Sequence, residues 1–261
     1  MIQSEQQERI LERLRRNGGS CDIEELTELL SASRVTVHRI LNKMQEANLV
    51  QKERGGVRIT EQVNQGYSDD LYKNSHFYQR QTINATLKRE LATKAFDLLK
   101  EGDTVFLDSS STVYVLVEEM ADRFTAPITI VTNSPAIVWR LAEQQNFHVI
   151  FVGGELDHML MACVGTLTTD TIASLSFNKA VISPAAVSSH GLLTSQSSTV
   201  SILRQVFRKD TQIILLAETP KVDRVAPLLI APLDDIACFV TDSMLSDERR
   251  LQFEQQGLYI L

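Results

Sequence analysis

Apolar residues in the first sixty positions recur at helical spacing, in three short runs. Ile10, Leu11 and Leu14 mark the first run, which stops at Asn17-Gly18-Gly19. Ile23, Leu26, Leu29 and Leu30 mark the second. Asp22 stands where an N-cap would, and Glu24 and Glu25 follow in a first turn where the helix dipole favours acids. Ser31-Ala32-Ser33 then reads as a turn, with Ser33 capping a third helix that runs to about residue 47. Val37, Leu41 and Met44 give it an inward face. Residues 49–54 and 57–60 read as two short strands about Gly55-Gly56, a hairpin.

The pattern changes after residue 60. Residues 61–81 are polar, with Gly66, Ser68, Asp69, Asp70, Asn74 and Ser75, and read as a connector that turns partly helical late. A helix is predicted from Thr82, carried by Ile83, Leu87, Leu91, Ala95, Leu98 and Leu99, to Glu101-Gly102. Beyond it short apolar segments alternate with helical ones. Strands are predicted at 104–108, 128–132, 147–152, 180–183, 212–217, 236–241 and 258–261. Helices are predicted over 112–120, from the end of the second strand to about 144, and from Ser246. Such alternation predicts a mostly parallel sheet covered on both faces, a Rossmann-like domain. The expected organisation is 1–60, a helical unit with a hairpin; 61–81, a connector; and 82–261, an α/β domain.

Charge adds what periodicity cannot. The chain carries a net −7, which argues against nucleic acid until it is divided. Residues 1–60 hold ten Lys and Arg against nine Asp and Glu, while the remainder carries −8. Between Arg34 and Arg58 the balance is six basic to two acidic. A local basic face on an acidic chain suits a DNA reader attached to an unrelated domain. Arg34, Thr36, His38 and Arg39 lie at the N-terminal end of the third helix, the end that enters a major groove, with Ser33 before them and Lys43 behind. Arginine can pair with guanine, and threonine can reach bases or phosphates. Lys52, Arg54 and Arg58 on the hairpin would lie against phosphates, as a wing does. The first sixty residues are therefore expected to be a winged helix-turn-helix that binds double-stranded DNA. The alternative is a protein-interaction module of the same shape.

In an open parallel sheet, ligands bind beyond the carboxyl ends of the strands. Those ends carry Asp108-Ser109-Ser110-Ser111-Thr112, then Thr132-Asn133, then Gly153-Gly154, and late in the chain Glu218-Thr219-Pro220-Lys221. A hydroxyl-rich turn opening a helix offers free N–H groups and a positive dipole end, which suits phosphate. Lys221 is the candidate cation and Asp108 an acceptor for sugar hydroxyls. Each has a plainer reading: serines cap helices, Gly-Gly makes turns, and lysines sit on surfaces. Together they point to a phosphorylated sugar or polyol. His158 and His190 fall in expected loops near this edge, as donors or as surface residues.

The residues also resemble a family. Ser33-Arg34-Val35-Thr36-Val37-His38-Arg39-Ile40-Leu41 is similar to the recognition helix of DeoR-type regulators, usually Ser-x-x-Thr-Ile-Arg-Arg-Asp-Leu. Here His38 replaces an Arg and Ile40 an Asp. Lys52-Glu53-Arg54-Gly55-Gly56-Val57 resembles the DeoR wing. Lys88, the run from Gly102 to Thr112, Thr132-Asn133, Gly153-Gly154, Gly165 and Lys221 are similar in order and spacing to its effector domain. That resemblance implies the fold of ribose-5-phosphate isomerase and a bound sugar phosphate lined by Asp108, Ser109, Ser110, Ser111, Thr112, Thr132, Asn133, Gly153, Gly154 and Lys221. Three departures reshape the pocket: Ser110 stands where the family has Gly, Ser183-Pro184-Ala185-Ala186-Val187 replaces a Gly-rich turn, and Glu218-Thr219-Pro220-Lys221 replaces Asp-x-Ser-Lys.

The function expected is a bacterial repressor of a carbohydrate-utilisation operon, a homo-oligomer whose operator affinity a phosphorylated sugar or polyol controls. An isomerase-like enzyme, with Glu218 or Asp108 as base and Lys221 as acid, is one alternative. A repressor governed by a protein partner is the other. No cofactor or metal is expected: Cys21, Cys163 and Cys238 are far apart, without ligand spacing. With no apolar run of about 18 residues and no apolar leader in the first twenty, the chain is expected to be cytoplasmic.

Overall fold

The structure, a computed structural model, describes residues 6, 7, 9–11, 13, 14, 20–46, 49–53, 56–60, 76–208 and 210–261. The chain divides into two compact units, Met1–Lys73 and Asn74–Leu261.

In the first unit the described residues between 6 and 14 are helical. β1 (Ser20–Asp22), α1 (Ile23–Leu30), α2 (Arg34–Glu46), β2 (Val50–Glu53) and β3 (Gly56–Ile59) follow. Ile10, Leu14, Leu26, Leu30, Val37, Ile40, Leu41, Met44, Val50 and Val57 share one core. Ile40, where the resembling family has Asp, is buried in it, so this position gives packing and not a charge. Ser33 caps α2 through its Oγ, which accepts from Thr36 N at 3.2 Å. Asp22 does stand at the N-cap of α1, but its side chain makes no capping bond. The hairpin gains an unexpected third strand: β1 pairs antiparallel with β3, giving the order β1-β3-β2. Gly56 permits the approach, since a Cβ there would lie 2.8 Å from the Cys21 carbonyl oxygen. The hairpin turn, with Arg54 and Gly55, lies outside the described residues.

The second unit opens with α3 (His76–Thr82) and α4 (Ala85–Phe96). One helix was expected from Thr82; two form because Asn84 adopts a left-handed φ of 57° between them. The expected connector lies outside the described residues over 61–75, and its end is α3. A six-stranded parallel sheet then forms from β4 (Thr104–Leu107), β5 (Ile128–Thr132), β6 (Phe147–Phe151), β9 (Lys179–Ile182), β12 (Gln212–Leu216) and β14 (Ile236–Val240). Its order is β14-β12-β9-β4-β5-β6. Between these strands run α5 (Ser111–Arg123), α6 (Pro135–Leu141), α7 (Thr166–Ser174) and α8 (Ser197–Arg204), with α9 (Asp247–Gln255) at the end. Two cores sandwich the sheet. Val105 and Leu107 of β4 enter one with Ile130 and Val181. Phe106 enters the other with Val131 and Ile182. Strands buried on both faces explain why their sequence is continuously apolar rather than alternating.

Three features depart from the expected pattern. A hairpin of β7 (Glu155–Asp157) and β8 (Ala162–Val164) follows β6. β10 (Ala186–Ser188), β11 (Gly191–Thr194) and β13 (Leu228–Ala231) form a separate antiparallel sheet. The strand expected at 258–261 is only a bridge, Phe239 to Ile260. Among the described residues no helix is long and apolar enough to cross a membrane.

Candidate functional site

The chain leaves β4 toward β5 on one side of the sheet and leaves β9 toward β12 on the other. β4 and β9 are neighbours, so a crevice opens between their carboxyl ends, as at the switch point of any doubly wound sheet. A cleft of about 290 Å³ lies there, lined among others by Arg80, Lys88, Asp108, Ser109, Ser110, Ser111, Ser183, Glu218, Lys221 and Arg224. Its lining holds four Arg and Lys against two carboxylates.

Asp108 ends β4 and is 6% exposed. Its Oδ1 accepts from Ser110 N at 2.9 Å and its Oδ2 from Ser183 N at 2.8 Å, which ties the β4 and β9 ends together. Burial raises its pKa above the ordinary carboxylate value, and those hydrogen bonds oppose the rise. Ser110 caps α5, its Oγ accepting from Val113 N at 3.2 Å. Ser111 is the first residue of α5, where N–H groups have no intrahelical partner.

Two lysines, Lys88 buried and Lys221 partly so, meet this helix start from different elements. Lys88 of α4 is 2% exposed. It donates to Ser111 Oγ at 3.2 Å and to the Arg80 carbonyl. Burial pushes its pKa down to about 8. Lys221, on a 3₁₀ turn (Thr219–Lys221), donates to Ser183 Oγ at 2.8 Å and Thr112 Oγ1 at 3.0 Å, and pairs with Glu218 at 3.1 Å. Burial lowers its pKa too, while Glu218 opposes the shift. The Lys221 turn is itself held by buried Asp242, which accepts from Thr219 N at 2.6 Å and Thr219 Oγ1 at 2.8 Å.

The sequence-expected residues thus divide. Asp108, Ser109, Ser110, Ser111 and Lys221 line the cleft. Thr112 is fully buried and touches it only through Lys221 and Glu218. Asn133 lines a neighbouring cavity of about 20 Å³ with Asp108 and Ser109. Its Nδ2 donates to the Cys163 carbonyl at 2.9 Å, and its buried Oδ1 has no partner. Thr132, Gly153 and Gly154 line neither cavity. Thr132 Oγ1 donates to the Leu107 carbonyl at 2.8 Å, a bond between strands. Gly154 makes room for α7: a Cβ there would lie 2.0 Å from Thr168 Oγ1. His158 and His190 are not in the lining. Arg80 and Arg224 in the lining were not expected, whereas Lys88 figured in the family resemblance and Ser183 in a turn expected to reshape the pocket, neither with a ligand role.

In the first unit, Arg34, His38, Arg39 and Lys43 are exposed on α2, and Thr36 is half-buried. Thr36 Oγ1 is bonded to Ser33 Oγ at 2.9 Å. Arg34 is paired with Glu24, and Lys52 donates to Asn42 Oδ1. Arg58 is paired with Glu53 at 2.7 Å. Among the described residues no group of three or more His, Cys, Asp and Glu is placed to hold a metal ion.

The profile described as the DeoR C terminal sensor domain matches residues 83–243, and one described as the HVO_A0261 N-terminal domain matches 1–62. The L-fucose operon activator of Haemophilus influenzae is 29% identical over 92% of each chain. The lactose phosphotransferase system repressor of Lactococcus lactis subsp. lactis is 25% identical over 95% of this chain and 94% of its own. Ribose 5-phosphate isomerase A of Methanocaldococcus jannaschii aligns over 53% of this chain and 55% of its own, at TM-score 0.38 and 14% identity. The fold described above rests on the strand order and not on that last likeness. The sensor-domain match alone spans more than half of the sequence, and the chain belongs to the DeoR family of transcriptional regulators.

Proposed function

We propose that this regulator represses a carbohydrate-utilisation operon in the cytoplasm, as a homo-oligomer whose operator affinity is set by a phosphorylated sugar or polyol in the Asn74–Leu261 unit. The relatives named for sugar operons support the reading, one an activator and one a repressor. The observation that carries it is the charge of the cleft. Four cations against two carboxylates leave a surplus of two, at a helix N-terminus rich in hydroxyls. A phosphate monoester carries close to two negative charges at neutral pH and binds such termini. Asp108, Glu218 and Ser183 offer acceptors and donors to the polyol.

Residues 1–60 are the proposed DNA-binding domain, with Ser33, Arg34, Thr36, His38, Arg39 and Lys43 toward the major groove and Lys52, Arg54 and Arg58 toward phosphates. Operators are commonly two-fold, which is why an even oligomer is proposed. Effector binding shifts operator affinity only by its differential affinity for two states of the protein.

Ser111→Asp tests the site. The new carboxylate would pair with Lys88 and repel a phosphate. Calorimetric titration with a panel of sugar and polyol phosphates should give heat with the wild type, none with Ser111→Asp, and no product with either. A Ser111→Asp protein that binds as the wild type does would move the phosphate elsewhere, and steady turnover would make the chain an enzyme.

A further inference from the structure

Two of the cations proposed to face DNA, Arg34 and Arg58, carry carboxylate partners. Arg34, in the first turn of α2, is held by Glu24 in the first turn of α1. Arg58 of β3 donates to Glu53, the last residue of β2, at 2.7 Å. Glu24 and Glu53 also border one cleft with Arg34, His38 and Lys52. The side chains of both pairs are exposed, from 45% for Glu53 to 76% for Glu24, so the pairs open easily and hold little of the fold together. They cost more once DNA arrives. A phosphate that takes Arg34 or Arg58 leaves a carboxylate uncompensated beside a polyanion.

We propose that Glu24 and Glu53 set the affinity floor of this unit: they weaken contact with DNA of any sequence, so that only a site that adds base contacts is held. This rests on the DNA-binding reading above. The near-neutral balance of residues 1–60, +1 despite ten basic side chains, accords with it. The penalty is common to all sequences, so the ratio between sites is left to base contacts, while the two carboxylates lower the occupancy of sites that lack them. Base-edge contacts from the exposed Arg39 and His38 offset the repulsion at the right sequence, whereas phosphate contacts alone do not.

The test uses the full chain and a random-sequence DNA duplex of roughly 30 base pairs. Fluorescence anisotropy is recorded at several salt concentrations around 0.1 M, where charges about 10 Å apart still interact. Glu24→Gln and Glu53→Gln should each tighten binding to this duplex by about fivefold, the scale of one screened like charge. Glu254→Gln, in the other unit, should leave it unchanged. The gain from Glu24→Gln should shrink in an Arg34→Ala background, because Glu24 acts partly on that side chain. Unchanged thermal melting of both Gln variants excludes tighter binding through a locally unfolded, basic segment. If both Gln variants bind the duplex no better than the wild type does, the proposal is wrong. If the wild type binds no duplex at any salt concentration, the DNA-binding reading beneath it is wrong instead.

Discussion

The Lys88 ammonium donates to Ser111 Oγ across 3.2 Å, joining α4 to the first residue of α5. A charge buried to this degree is costly, and its pKa falls to about 8. Lys221, the cation candidate from sequence, has its ammonium already engaged by Glu218, Thr112 and Ser183. Lys88 has no carboxylate within salt-bridge distance among the described residues, so under the proposed function it is the cation predicted to meet the phosphate.

A pH dependence follows from that shift. Below about pH 8 Lys88 is charged in both folded and unfolded chains, and its burial penalty is fully present. Between about 8 and the ordinary 10.5 the folded protein sheds the proton first, so the free protein should gain stability as pH rises through this window. Effector affinity should move the opposite way, falling as Lys88 loses its charge. Lys88→Met should abolish both trends, as read by urea denaturation and by calorimetry from pH 7 to 10. An effector affinity flat across pH 8 would show that Lys88 does not meet the phosphate.

The Lys221–Glu218 pair has a different liability. Glu218 is 3% exposed, so Lys221→Met strands a buried carboxylate. The loss should be about 3 kcal/mol, as for other buried pairs broken on one side. Adding Glu218→Gln should return most of it. Equilibrium urea unfolding of the two variants checks this, and equal stabilities would mean the pair is hydrated.

The two glycines after β6 should behave unequally. A Cβ on Gly154 would meet Thr168 Oγ1 at 2.0 Å and Val164 O at 2.8 Å, with φ at 146°. Gly154→Ala should cost about 2 kcal/mol or more in thermal unfolding. Gly153→Ala meets nothing within 4 Å and should be silent in both stability and effector affinity. A loss of effector binding in a stable Gly153→Ala protein would return this turn to the ligand site.

On the DNA side, Arg39→Ala should weaken specific operator binding by about 1–3 kcal/mol if it reads a base. Arg58→Ala should weaken all sequences alike and lower the salt slope by about one. Mobility-shift titrations distinguish the two, and operator binding unaltered in both variants would remove the recognition helix and wing from the interface.

The sequence alone determined the parts of this protein that depend on local periodicity. Val37, Leu41 and Met44 set the face of α2, and runs such as 104–107 and 212–216 gave strands buried on both sides. The motif at Asp108–Thr112 marked a helix start, because hydroxyl caps act within a few residues. Only the tertiary structure decided what meets across distance. It brought Lys88, some twenty residues earlier in the chain, to Ser111, and Ser183 to Asp108 across adjacent strands. It also put Ile40, an apparent loss of a charged residue, into core, and set Gly154 against Thr168 of α7. The reason is the order of the sheet. β4 and β9 are neighbours although more than seventy residues separate them, and no spacing along the chain encodes which strand ends will share a crevice.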